Sequence, residues 1–92
     1  MSEGLDALRA KIDAVDDLLL TTLAERARLV DEVAALKRTE GLLLRDPARE
    51  QAIVDRASRR APSRLPAEAV GQVFRAILAA CYPSGGPPGG AG

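Results

Sequence analysis

The sequence predicts an all-α protein of three helices per chain, one of them very long, assembled as an intertwined helical-bundle homodimer. Three observations carry this. Leu5, Leu8, Ile12, Val15, Leu19, Leu29, Val33 and Leu36 fall on the a and d positions of consecutive heptads, and only Thr22 and Arg26 interrupt the series. The same stretch contains no proline, and after the marginal Gly4 no glycine until Gly41. Apolar residues make up 47% of the chain, yet it has one Phe, one Tyr and no Trp, so its core must be aliphatic and alanine-rich, a composition that suits close-packed helices.

Helix one is expected to start after Ser2, an N-cap with acidic Glu3 close behind it, and to run until Gly41 closes it. Roughly 35 residues at 1.5 Å each make a rod about 50 Å long, whereas a compact domain of this size has a radius of gyration of about 12 Å. The rod outruns any globule its own chain could wrap around it, so its exposed half must pack on another protomer. Leu23 and Val30, at e positions, widen the apolar face beyond what a two-stranded coil uses and suit a multi-helix bundle. A loop over 39–45, centred on Gly41, follows. Asp46 reads as an N-cap and Pro47 as the first residue of a second helix that runs to Arg59. Its inward face is Glu50, Ile53, Val54 and Ala57, which places a carboxylate on the apolar stripe. After a connection over 60–65, Pro66 opens helix three, with Val70, Val73, Phe74, Ile77 and Cys81 as its core face. Pro83 ends it, because proline cannot continue the hydrogen-bond ladder. Residues 1–83 are read as one domain, and 84–92, glycine and proline with almost nothing to bury, as a disordered tail.

Composition narrows the function. Lysine plus arginine, 13 residues, balance aspartate plus glutamate, also 13, and no extended basic run is present, which argues against nucleic acid and anionic membrane as partners. With no histidine and one cysteine there is no internal disulfide, no ligand set for zinc or copper, and no commonest general base. The first ten residues carry no signal-peptide pattern, and no apolar run approaches the roughly 20 residues of a membrane span. A cytoplasmic location with a reduced thiol is the expectation.

Arg26 is where function is to be sought. A guanidinium on a buried seam costs several kcal/mol unless an anion compensates it. That anion is a protein carboxylate, Glu50 or one from the partner, or else a ligand. Lys37 lies eleven residues on, close to three whole turns, so it leaves the same side of the helix about 16 Å away. Arg9 is on the same broad face but about 25 Å from Arg26. In an antiparallel pairing of two copies centred near Leu20, however, the partner's Arg9 falls between Arg26 and Lys37. Asp46, Arg49 and Glu50 close the cluster from the start of helix two. Such a cationic pocket with an acidic edge suits a compact dianion bearing a hydroxyl. Each residue also has a plainer explanation: an ion pair for Arg26, solvated charges for Arg9 and Lys37, an N-cap for Asp46, dipole compensation for Glu50, and a small core residue for Cys81.

The set Arg9, Arg26, Lys37, Asp46, Arg49 and Glu50, standing in LDALRAKIDAVDDLLLTTLAER, EVAALK and RDPAREQAI, closely resembles the all-helical (type II) class of chorismate mutases over residues 5–82. The resemblance implies three helices per chain, an intertwined dimer and two shared active sites. It also implies that Arg26 and the partner's Arg9 bind the two carboxylates of chorismate, with help from Arg49. Lys37 would donate to the enol-ether oxygen, while Glu50 and the backbone at Asp46 would hold the ring hydroxyl. The reaction, a pericyclic rearrangement to prephenate, needs no cofactor, metal, nucleophile or proton shuttle, which is compatible with a chain lacking histidine. Helix three departs from the family pattern. The family's serine near its end aligns with Cys81, and a later glutamine or glutamate donor to the ether oxygen aligns with Gly85, beyond Pro83. Loss of that donor could cost on the order of 2 to 4 kcal/mol in the transition state, so weak stand-alone turnover is expected. Similar short members are activated by complexing with the first enzyme of the shikimate pathway, which the resemblance makes a partner to test. Competing readings are an isochorismate-pyruvate lyase, a 4-amino-4-deoxychorismate mutase, and a non-enzymatic helical dimerisation or regulatory module in which Arg26 merely pairs with Glu50.

Overall fold

The computed structural model describes residues 3–83; the proposed Ser2 cap, Gly85 and the tail over 84–92 lie outside the described residues. Among the described residues three helices make up the fold: α1 (Glu3–Thr39), α2 (Pro47–Arg59) and α3 (Ala67–Ala80). Their order and boundaries are those expected from the sequence to within a residue or two.

Local chemistry explains both ends of α1, the start of α2 and the end of α3. Glu3 and Asp6 lie in the first turn of α1 and Lys37 and Arg38 in its last, matching both ends of the helix dipole. Gly41 takes φ 71°, a conformation that favours glycine, and completes a Schellman ending. The Leu42 N–H donates to the Lys37 carbonyl at 2.8 Å and the Gly41 N–H to the Arg38 carbonyl at 3.2 Å. Asp46 caps α2 through its side chain, which accepts from the Arg49 N–H at 3.0 Å, with Pro47 next in line. Cys81 is the C-cap of α3, two residues before Pro83.

The helices are unequally packed. α2 and α3 lie closely together at Gly71, where an added Cβ would sit 2.9 Å from Ser58 Oγ and 3.6 Å from Val54 Cγ1. The α2 stripe is the expected one: Val54 is buried, and Glu50, Ile53 and Ala57 are half-buried. On α3, Val73 is not in the core as expected but 56% exposed. Gly71 is buried and Leu78 half-buried instead, because the absent side chain at Gly71 lets α3 roll toward α2 and turns Val73 to the margin.

α1 meets this pair only along its C-terminal half. Leu23, Arg26, Ala27, Val30, Asp31, Ala34 and Lys37 are half-buried or buried, whereas every residue over 3–22 is exposed. At 1.5 Å per residue, that leaves an arm of about 30 Å standing free of the rest. The shape follows: 60 × 25 × 19 Å, with a radius of gyration of 16.8 Å, against about 12 Å for a compact chain of this length. The heptad seam does not face α2 and α3. The stripe that does lies roughly a quarter turn away around the helix, and Leu8, Ile12, Val15, Leu19, Val33 and Leu36 are 52–58% exposed. The buried apolar residues among those described are Ala34, Val54 and Cys81. So small a core gives a single chain little to stand on.

Candidate functional site

A cleft of about 200 Å³ opens between the C-terminal half of α1, the start of α2 and the end of α3. Arg26 and Lys37 line its α1 wall, Asp46, Arg49 and Glu50 its α2 wall, and Cys81 its α3 wall. The structure thus brings together six of the seven residues expected at a site. Arg9 is the exception, exposed on the free arm of α1.

Five of the six are placed by a local device. The Schellman ending of α1 reverses the chain over Lys37, so that its Nζ donates to the Leu44 carbonyl at 3.2 Å. The ammonium is thereby held at the cleft edge rather than left to sweep through solvent. The Asp46 cap commits that carboxylate to the α2 backbone, with the Glu50 N–H also bonded to the Asp46 carbonyl at 3.0 Å. Arg49 and Glu50 follow in the first turn of α2, where the dipole favours a carboxylate. Cys81 is buried, its thiol directed to the Leu23 carbonyl at 3.9 Å, a weak contact that ties the end of α3 to α1.

Arg26 is half-buried and, among the described residues, has neither a hydrogen bond nor an ion pair. The Arg26–Glu50 pair weighed from the sequence does not form. Glu50 is matched instead with Arg45, at 3.5 Å and with both side chains partly exposed. Elsewhere on α1 one cation, Arg28, is satisfied by its neighbours. Arg28, on the solvent side, donates to Glu25 at 2.6 Å and to Glu32. That hydrogen bond holds the Glu25 carboxyl below its ordinary range and raises the guanidinium above its own. Arg26, half-buried at the cleft, has no such partner among the described residues.

Sequence reasoning passed over Tyr82, Leu78 and Arg45. Tyr82 and Leu78 line the cleft; both lie past or beside the i, i+3, i+4 stripe used to assign the core of α3. Arg45 sits in a loop, where periodicity carries no signal. The position of Tyr82 as the chain's one tyrosine, next to the candidate Cys81, was the available clue. Among the described residues no group of histidine, cysteine, aspartate and glutamate is arranged to hold a metal ion, and no helix is long and apolar enough to cross a membrane.

Comparison with known proteins bears on this geometry. The chorismate mutase type II family description matches residues 8–83. The chorismate mutase of Methanocaldococcus jannaschii is 43% identical over 56 residues, covering 61% of this chain and 57% of that protein. The bifunctional chorismate mutase/prephenate dehydratase of Aquifex aeolicus is 32% identical over 83 residues, 86% of this chain but 23% of its own length. This chain therefore spans little more than half of the first relative and less than a quarter of the second. Among solved structures, a chorismate mutase from Thermus thermophilus superposes with a TM-score of 0.82 at 34% identity, covering 86% of this chain and 99% of that one.

Proposed function

We propose that this chain, which belongs to the chorismate mutase type II family, catalyses the rearrangement of chorismate to prephenate as a cytoplasmic homodimer with shared active sites. The observation that carries the proposal is Arg26: a half-buried guanidinium with no anion among the described residues, lining a cleft that also holds Lys37, Asp46, Arg49 and Glu50. A dicarboxylate substrate supplies the missing anion.

In this reading Arg26 binds one carboxylate with help from Arg49, and Arg9 of the partner subunit binds the other. Lys37 donates to the ether oxygen. Glu50 and the backbone at Asp46 take the ring hydroxyl, and Cys81 forms part of the wall. The reaction breaks the ether C–O bond as a C–C bond forms between the enolpyruvyl methylene and the ring, and the ether oxygen becomes a ketone oxygen. No proton is transferred, so the protein has two tasks. It holds the side chain over the ring in a reactive chair, and it places donors where the oxygen gains charge. Fixed cations on two helices suit both.

The dimer is supported by what α1 leaves uncovered. Its free arm exposes Leu5, Leu8, Ile12 and Val15 and carries Glu3, Asp6, Asp13, Asp16 and Asp17. A groove of about 330 Å³ on α2 and α3 offers the complement, with apolar Leu65, Val70 and Phe74 beside Arg49, Arg56 and Arg60. The arm of a second copy laid along that groove covers apolar surface and pairs charge, and brings the partner's Arg9 toward Arg26.

The test is loss of chorismate absorbance on mixing with the pure protein, followed by identification of prephenate. Salicylate from isochorismate, with no prephenate from chorismate, would instead make the chain a lyase. Addition of the first enzyme of the shikimate pathway should raise turnover; unchanged kinetics would remove it as a partner.

A further inference from the structure

The α3 wall of the cleft contains a donor that the roles above leave unused. Tyr82 is half-buried and lines the cleft together with Arg26 and Lys37. It also lines a larger neighbouring cavity of about 420 Å³, as do Glu50 and Leu78, so its ring stands on the divide between the two. Its hydroxyl has no hydrogen-bond partner among the described residues. A partly buried phenol beside a polar cleft ordinarily finds one. The other polar side chain on this wall is already engaged, since the Cys81 thiol is turned to the Leu23 carbonyl.

The backbone that carries the ring is also held in place. The Cys81 N–H donates to the Ile77 carbonyl at 2.8 Å and the Tyr82 N–H to the Ala79 carbonyl at 3.4 Å, so Tyr82, just past the Cys81 cap, is tied back to the last turn of α3 before Pro83. Lys37, fixed at the Leu44 carbonyl, stands on the α1 wall. A substrate between the two walls has an ammonium on one side and a phenol on the other.

We infer that Tyr82 is a catalytic residue, its phenol donating a hydrogen bond to the ether oxygen from the α3 wall, across the bound substrate from the Lys37 ammonium. This rests on the mutase reading of the cleft. The phenol keeps its proton throughout. It stabilises the charge that grows on the oxygen as the C–O bond lengthens, and the ketone oxygen of the product inherits the contact. An interaction that strengthens only toward the transition state acts on kcat rather than on KM.

Tyr82→Phe keeps the ring and removes the donor. Its kcat for chorismate should fall about 100-fold, the loss typical of a single donor to a developing oxyanion, with KM and melting temperature close to wild type. A bicyclic ether dicarboxylate that mimics the chair transition state should bind the variant more weakly by a similar factor. The same dicarboxylate with a methylene in place of the ether oxygen should bind both proteins alike. A wild type that turns over chorismate while Tyr82→Phe matches its kcat overturns the assignment of Tyr82 alone. Equal weakening toward the ether and methylene mimics overturns it too, showing a role in packing. A wild type that converts no chorismate overturns the mutase reading itself, and this inference with it.

Discussion

Replacing Arg26 by leucine separates a substrate-binding arginine from a structural one. The side chain is half-buried and has no protein anion among the described residues, so its removal orphans no carboxylate. Leucine at this a position continues a seam of Val15, Leu19, Leu29 and Val33. The expected effect on stability is therefore neutral to favourable by about 1 kcal/mol, since an unpaired, partly desolvated charge is exchanged for an apolar group. On the 60- to 100-residue scale, that is a rise in melting temperature of about 4 to 8 °C at most. Catalysis should respond in the opposite sense. Truncating one side of a desolvated, hydrogen-bonded charge pair costs about 2 to 5 kcal/mol, equivalent to a loss in kcat/KM of about 30- to 5,000-fold. Paired measurements of chorismate consumption and thermal melting give the answer. Activity within about threefold of wild type, or a melting temperature lowered by more than about 10 °C, would refute the reasoning. The latter is the signature of a broken structural ion pair.

The remaining predictions test the assembly and the scaffold. Leu8→Asp with Ile12→Asp should convert the dimer to monomer in sedimentation and abolish turnover. Each side chain is worth about 1.5 to 3 kcal/mol when buried, and a two-fold interface counts the loss twice; a wild type that sediments as a monomer would sink the dimer. Gly71→Val should destabilise the fold by about 1 to 3 kcal/mol through collision with Ser58 and Val54, read by thermal melting, because α3 must retreat from α2. Arg28→Gln should slightly lower the melting temperature at neutral pH and leave it unchanged in strong acid. Glu25 is held below the ordinary carboxylate range by its hydrogen bond from Arg28. Its contribution is therefore present above the unfolded-state value and lost as pH falls through the lowered one. Both groups are exposed, so the effect should be small and should shrink further in high salt.

Helix positions were legible in the sequence because their signals are local. Asp46-Pro47, Gly41 and Pro83 act within a turn of where they stand, and the start of α2 and the C-terminal ends of α1 and α3 fall where those residues put them. The charged members of the site were legible for a related reason: a cation interrupting an apolar repeat is conspicuous without knowledge of the fold. What periodicity left open was the angle at which one helix meets another. Val73 sits at helical spacing from Phe74 and Ile77 yet is exposed, because the approach of α3 to α2 is set by the missing side chain of Gly71. Tyr82 escaped notice for the same reason, since its place on the cleft follows from that roll and from where α3 ends.

The heptad seam and the stripe facing α2 and α3 are two faces of α1, a quarter turn apart, and the structure explains why both exist. Arg26 lies on the boundary that they share. Within the chain it looks onto Asp46, Arg49 and Glu50 across the cleft; from the seam it looks toward whatever covers Leu29 and Val33. A single face directed at the chain's own core would have buried the guanidinium against α2 and α3 and forced it to pair with Glu50. A single face directed at a partner would have separated it from α2. Placed between the two, Arg26 is left half-buried by this chain alone, and in the proposed dimer the second chain would complete its enclosure. Dimerisation and substrate binding should therefore be linked: a dicarboxylate ligand should tighten the dimer, and should tighten the Arg26→Leu dimer far less. Sedimentation of both proteins with and without the ether mimic measures the difference.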